Sequence, residues 1–208
     1  TPLVSVSKGF NINEPTREMN RIKIGTVTLA VLLAASSVSA REVIDFDAGW
    51  RFTLGDPAGA ESVGHRDVSW RMLKVPHDWA FEADYAEDAA QGGQGGYKPG
   101  GIGWYRKSFK FPERWAGKRV IIAFDAVYMN SEVWINGQYL GKRPYGYISF
   151  EYEISKHLKP GENVIAVRVD NSREPSARWY HGCGIYGHVK LLVTDAVYIP
   201  RDGVCVRT

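Results

Sequence analysis

From Arg41 onward the chain sustains no helical period. Short runs rich in Val, Ile, Thr and aromatic residues follow one another, each closed by Gly, Pro, Asp or Asn. The runs are Val43–Phe46, Trp50–Leu54, Trp70–Val75, Trp104–Phe111, Arg119–Phe124, Ser131–Ile135, Gln138–Lys142, Ser149–Glu153, Asn163–Val169 and Val189–Val193. In the ninth, Ile165, Val167 and Val169 share one face while Arg168 points to the other, the period of a half-buried strand. Asn136-Gly137 sits between Val133–Ile135 and Gln138–Leu140. Both central residues of a type I′ turn need positive φ, so this pair predicts a tight hairpin. Pro160-Gly161 marks another turn, and a short helical turn is expected near Ile154–Leu158. About ten short strands in roughly 150 residues predict an all-β domain, a two-sheet antiparallel β-sandwich of jelly-roll type.

One stretch breaks the rhythm. Ala80 to Gly101 holds no strand pattern and contains Gln91-Gly92-Gly93-Gln94-Gly95-Gly96 and Pro99-Gly100-Gly101. A phosphate cradle fails here, because no GK[ST] follows and the next element is a strand rather than a helix. Two readings stay open: the rim of a functional site, or a plain surface insertion. A further β-rich run, with Val204 and Val206 alternating against Cys205 and Arg207, opens near Ala196. It either pairs back onto the sandwich or begins a following domain over 196–208.

The first forty residues follow other rules. Met19 to Ala40 has a basic start (Arg21, Lys23), an apolar stretch from Ile24 to Ala35, and small residues at Val38 and Ala40. That is the pattern of a secretory signal cleaved before Arg41. The apolar stretch is short of the about 20 residues that a membrane span needs. No Cys follows it to carry a lipid, so export to the periplasm or the exterior is expected, without a stable membrane anchor. Residues 1–18 precede the signal and read as an upstream extension, with Met19 as the start.

Composition narrows the function classes. Beyond residue 40, 22 basic side chains face 21 acidic ones. No basic stripe supports nucleic-acid binding. Cys183 and Cys205 belong to no CxxC and have no His cluster at ligand spacing, so a zinc site is not expected, and no metal-ligating residue and no cofactor is assigned. One disulfide is open to an exported chain; two free thiols are the simpler reading. All seven Trp and eleven Tyr lie after residue 40. Aromatics bury well in β cores, and they also stack on the C–H faces of sugars.

The motifs, taken in order, resemble the sugar-binding N-terminal domain of glycoside hydrolase family 2. Gly49-Trp50-Arg51-Phe52 is similar to its opening strand, and Val75-Pro76-His77-Asp78-Trp79 to its VPHDW motif. Gly101-Ile102-Gly103-Trp104-Tyr105-Arg106-Lys107 is similar to GxGWYRK. Val133-Trp134-Ile135-Asn136-Gly137 with Leu140-Gly141 is similar to VWVNGxxLG. Gly146-Tyr147 through Phe150, Gly161-Glu162-Asn163, Val167-Arg168-Val169-Asp170-Asn171, and Arg178-Trp179-Tyr180 through Ile185-Tyr186 complete the series. The likeness covers about 41–194 and leans toward the β-galactosidase branch rather than the β-glucuronidase or β-mannosidase branches. It implies a galactose-binding-domain-like sandwich. Two positions depart from the pattern: Gly187 stands where Arg is usual, and Cys183 where a Ser or similar residue is usual.

The resemblance implies a parent enzyme that hydrolyses terminal β-galactosides or related oligosaccharides. Its two catalytic carboxylates, about 5–5.5 Å apart in a retaining enzyme, would lie on a (β/α)₈ barrel beyond an immunoglobulin-like second domain. A barrel needs about 250 residues, so it has no room here and no catalytic residue is assigned. The missing C-terminal domains of the same chain are the implied partners; oligomeric state is not legible. Substrate contact is assigned by resemblance to Asp170 and Asn171, and with them Arg178, Trp179 and Tyr180. Asp170 would accept sugar hydroxyls; the plainer alternative is a turn after the ninth strand. For Arg178, Trp179 and Tyr180 the alternative is a structural seat. His77-Asp78 has no Ser nucleophile context and reads as a loop brace rather than a dyad. Other identities remain open: a free-standing lectin-like module, or a domain that only buttresses an interface.

Overall fold

Ten strands form in the predicted order. The computed structural model describes residues 41–89, 92–173, 179–201 and 203–207; the leader and Arg178 lie outside them. The strands are β1 (Glu42–Asp45), β2 (Trp50–Leu54), β3 (Arg71–Leu73), β4 (Gly101–Phe111), β5 (Arg119–Phe124), β6 (Ser131–Ile135), β7 (Gln138–Arg143), β8 (Phe150–Glu153), β9 (Gly161–Asn171) and β10 (Val189–Thr194). Every pairing is antiparallel, in a four-stranded sheet of order β1-β10-β5-β8 and a six-stranded sheet of order β3-β2-β4-β9-β6-β7. A one-turn helix, α1 (Trp79–Glu82), and 3-10 turns at Gly92–Gly95, Glu113–Trp115 and Ser155–His157 fill the connections.

Alternation decides which side chains meet between the sheets. Val120, Ile122 and Phe124 of β5 and Val189, Leu191 and Val193 of β10 face Tyr105 of β4, Val133 and Ile135 of β6, and Ile165, Val167 and Val169 of β9. Each large apolar side chain buried here stabilises the fold by about 1.5–3 kcal/mol. The Asn136-Gly137 turn has φ of 50° and 79°, as a type I′ hairpin requires.

Both outer faces are partly covered. Trp104 of β4 stacks on Trp134 of β6 at 5.3 Å, and the β2–β3 connection packs over this face through Ala60 and Trp70. Arg106 is buried beneath it, donating from Nε to Asp67 (2.9 Å) and from Nη1 to the Ser62 carbonyl (2.9 Å). On the smaller sheet, Tyr198 packs on Ile121, Ala123 and Leu192. The β-rich run after Ala196 forms no strand among the described residues; Val197, Ile199, Val204 and Val206 stand exposed. Neither cysteine forms a disulfide among the described residues; Cys183 is buried and Cys205 exposed. No helix of the described residues is long and apolar enough to cross a membrane.

Candidate functional site

Several chain segments meet at the sandwich end where β9 finishes and β4 begins. The long β4–β9 ladder sets the place, since it runs from Phe111↔Gly161 to Gly101↔Asn171. Pairing therefore carries Asp170 and Asn171 into the strand as its last two residues. The chain leaves the strand after Asn171, and the local bonds of the alternative turn reading run from Ser172 back to Asp170.

Being consecutive strand residues, Asp170 and Asn171 point to opposite faces. Asp170 lies on the outer face beside Arg168. Its Oδ1 accepts from the Ser172 backbone N–H (3.0 Å) and hydroxyl (2.6 Å), and its Oδ2 from Arg168 Nη1 (3.2 Å). Burial pushes this carboxyl up, but the Ser172 hydrogen bonds and the Arg168 charge outweigh it, so Asp170 is held below the ordinary carboxylate range. Arg168 is itself clamped by Asp56, at 3.0 and 2.8 Å, and Asp56 accepts Trp104 Nε1 at 2.7 Å. Asn171 turns inward and is only 2% exposed. Its amide donates to Cys183 Sγ at 3.0 Å, and its Oδ1 is buried without a partner among the described residues.

Asp78 joins the segments. It caps α1, with Oδ1 accepting from Ala80 N (2.9 Å) and Phe81 N (3.2 Å). The same oxygen accepts from Cys183 N (2.9 Å), while Oδ2 accepts the Tyr180 hydroxyl (2.7 Å). Burial first, then the bond to the Asp78 carboxylate, pushes the Tyr180 phenol well above its ordinary pKa. A side chain on Gly182 would meet Asp78 Oδ2 at 2.8 Å, so the bare backbone there lets the loop close down. Main-chain bonds from His77 N to Ile185 O and from Trp79 N to Cys183 O continue the seam. The loop brace expected of His77-Asp78 is thus what Asp78 builds.

His77 and Asp78 do not form a dyad. His77 Nδ1 lies 2.7 Å from the Tyr105 hydroxyl, and Nε2 lies 2.6 Å from Arg71 Nη2. The Arg71 guanidinium can only donate and so asks Nε2 to accept, whereas the Glu82 carboxylate, on the same nitrogen, can only accept and favours a proton there. Burial holds this imidazole below its ordinary pKa, and Arg71 adds to that; Glu82, 3.2 Å away, and Asp78 oppose it.

The other predicted contacts separate. Trp179 is 77% exposed, whereas Tyr180 is committed to Asp78. Arg178 lies outside the described residues. Next to this loop, Tyr128 stacks on His181 at 4.8 Å, Tyr147 bonds to His181 Nδ1, and Tyr186 donates to the Gly146 carbonyl at 2.6 Å. Asn130 Nδ2 donates to the Asp170 carbonyl at 3.0 Å and ties this aromatic group to the end of β9. Sequence reasoning missed Asn130 and Asp56, each far from Asp170 along the chain and in no quoted motif. Among the described residues no cluster of three His, Cys, Asp or Glu side chains could hold a metal.

Of the two departures from the motif pattern, Gly187 has a local reason, and Cys183 makes a contact that a Ser could also make. A Cβ on Gly187 would lie 2.4 Å from the Ala126 backbone nitrogen, so this chain brings two backbones together there. Cys183 supplies the sulfur that receives Asn171.

Two antiparallel sheets packed face to face, with the loops at one end held by a single carboxylate and edged with aromatics, place the chain among the antiparallel β-sandwich domains. The model of the family "Glycosyl hydrolases family 2, sugar binding domain" matches residues 44–195, and the chain belongs to that family. It is 51% identical over 181 residues to a β-galactosidase from Bacteroides ovatus, covering 86% of this chain and 21% of that protein. It is 47% identical over 199 residues to a putative β-glucuronidase from Formosa agariphila, covering 95% and 19%. Among solved structures, a β-glycosidase from Bacteroides vulgatus superposes with a TM-score of 0.75 at 50% identity, over 76% of this chain and 21% of that one. The chain thus spans about a fifth of the length of the curated relatives it matches.

Proposed function

We propose that the chain is the N-terminal sugar-binding domain of an exported, exo-acting glycosidase of β-galactosidase type. That parent enzyme hydrolyses terminal β-glycosides with carboxylates on a domain beyond this one, and the segment from Asp170 through Asn171, Arg178, Trp179 and Tyr180 walls its sugar pocket. The observation that carries the reading is Asp170, ionised and held at the loop rim with its Oδ2 on a single donor among the described residues. A carboxylate placed so has acceptor capacity left for a sugar hydroxyl.

In the full-length enzyme, Asp170→Ala should lower kcat/KM on a nitrophenyl β-galactoside by tenfold or more. Unchanged KM and kcat would leave Asp170 as the closure of the Ser172 turn only. The 208-residue chain by itself should give no turnover.

The relative named a putative β-glucuronidase supports a second reading, the β-glucuronidase branch of the same family. Rates of the full-length enzyme on nitrophenyl galactoside and nitrophenyl glucuronide decide between them.

Export is part of the proposal. It is supported by the Met19–Ala40 pattern and by β1 starting at Glu42, one residue past the cleavage point. N-terminal sequencing of protein from the periplasm or medium should read Arg41 first; a start at or before Met19 would sink it.

A further inference from the structure

β4 turns one row of side chains between the sheets, and one member of that row is charged. Lys107 stands between Tyr105 and Phe109, half-buried. Its ammonium rests 3.5 Å from the centre of the Phe46 ring and 5.7 Å from that of Trp50, and it donates to the Phe46 carbonyl at 2.7 Å. It forms no salt bridge among the described residues. The two carboxylates that face it, Asp45 at the end of β1 and Asp47 just beyond, are engaged elsewhere. Asp45 Oδ1 accepts the Asp47 N–H at 2.8 Å. Asp47 Oδ1 accepts the Val189 N–H at 2.7 Å, and its Oδ2 lies 2.6 Å from His188 Nδ1.

An ammonium placed so has exchanged water for a ring face and one carbonyl, with no counter-charge bonded to it. Desolvation favours the neutral amine, as it does for nucleophilic lysines in apolar seats. Asp45 and Asp47 oppose this from a distance, but burial prevails and lowers the pKa to about 8. At pH 7.5 about a quarter of such a side chain is free amine, against about one part in a thousand for an ordinary lysine. The amine keeps an N–H for the Phe46 carbonyl and has a lone pair besides.

The same surroundings suit one product. When an amine attacks an aldehyde, a C–N bond forms, the carbonyl oxygen leaves as water, and an iminium remains. The iminium retains one N–H and the positive charge. The Phe46 carbonyl can hold that N–H, and the Phe46 ring can hold that charge. An acylated amine would also keep an N–H but would lose the charge, so the ring favours the aldehyde adduct. Asp45 and Asp47 favour a neutral aldehyde over an anionic one.

We propose that Lys107 is a Schiff-base lysine, a covalent site for small neutral aldehydes seated between Phe46 and the Asp45–Asp47 turn and apart from the Asp170 rim.

The test treats the native chain with glycolaldehyde and cyanoborohydride, whose hydride reduces the iminium carbon to a stable secondary amine, and maps the adducts by mass spectrometry. The chain's α-amine, with an ordinary pKa of about 8, is the internal reference. At pH 7.5 Lys107 should be alkylated at least tenfold faster than the exposed Lys110 and Lys156. Its rate should level off above pH about 8, whereas theirs should go on rising toward pH about 10.4. Lys107→Arg should erase the fast side-chain site and leave the others unchanged. Asp45→Asn keeps an oxygen for the Asp47 N–H but removes a charge that favours the ammonium, so it should raise the Lys107 rate at pH 7 about twofold or more. Three results would overturn the proposal: alkylation of Lys107 no faster than that of Lys110 and Lys156 while the α-amine reacts, reaction only after unfolding in urea, or a rate still rising beyond pH 9.

Discussion

Asp78→Ala is the sharpest perturbation the structure offers. The carboxylate accepts four hydrogen bonds: two cap α1, one comes from the buried Cys183 N–H, and one from the Tyr180 hydroxyl. Losing an N-cap costs about 1 kcal/mol. Leaving the Cys183 donor buried and unpaired costs about 1–3 kcal/mol. The Tyr180 hydroxyl, half exposed, recovers water and adds little. The expected loss is therefore about 3 kcal/mol, out of about 5–15 kcal/mol for a typical domain. Asp78→Asn tests the cause. Its Oδ1 keeps the three backbone donors, and Tyr180 can rotate to accept from Nδ2, so the loss is that of charge assistance, about 1 kcal/mol. Urea unfolding midpoints of wild type, Asp78→Asn and Asp78→Ala supply the comparison, and hydrogen exchange at Cys183 N reports the seam directly. If both variants lose the same stability, or if Ala costs under about 1 kcal/mol, the brace is not what holds this end of the sandwich.

Gly187→Ala should cost about 1–3 kcal/mol, because the new Cβ meets Ala126 backbone at 2.4 Å and one of the two connecting segments must shift; a thermal melt within a degree of wild type would contradict the close approach. His77 gives a pH dependence of definite sign. Its folded-state pKa is depressed, so its contribution is intact above the unfolded value of about 6.5 and lost as pH falls from there through the folded value. His77→Gln should flatten the fall in urea midpoint between pH 7.5 and 5, leaving a remainder from His181, whose imidazole burial also holds low; parallel profiles for variant and wild type would remove His77 as the source. Cys205, exposed, should react with a thiol reagent in the native chain, and buried Cys183 only after denaturation. Cys183→Ser should stay within about 1 kcal/mol of wild type in the same urea assay, since a hydroxyl can also receive the Asn171 amide.

The strands were legible because their signal is local. Ile165, Val167 and Val169 against Arg168 announce a face by period alone, and Asn136-Gly137 announces its turn through two positive φ angles. Lys107 shows where the period misleads. It lies at an inward position of β4, between Tyr105 and Phe109, where alternation predicts an apolar residue. Its ammonium rests 3.5 Å from the Phe46 ring centre and donates to the Phe46 carbonyl at 2.7 Å. Burial, opposed by Asp45 and Asp47, lowers its pKa to about 8. Nothing within β4 itself points to Phe46.

The rim was legible only in part, for the same physical reason. A hydrogen bond between Tyr180 and Asp78 joins residues about a hundred positions apart, and a period of two or 3.6 carries no trace of it. What a sequence does carry is the residue type each end requires. An Asp before Trp79 can cap, and a Gly at 182 can let a loop approach. Either feature alone fits many structures; together they specify one contact. Asp170 and Asn171 show the opposite case. They are adjacent in sequence, yet pleating sends one to the outer face among charges and the other beneath Cys183. A ligand at this rim that touches both side chains would have to open the Asn171–Cys183 contact. Asn171→Ala should therefore appear first as lost stability, in urea unfolding of the chain, and Asp170→Ala first as lost turnover, in the full-length enzyme. Turnover lost in both variants with stability intact would mean that Asn171 does reach the sugar.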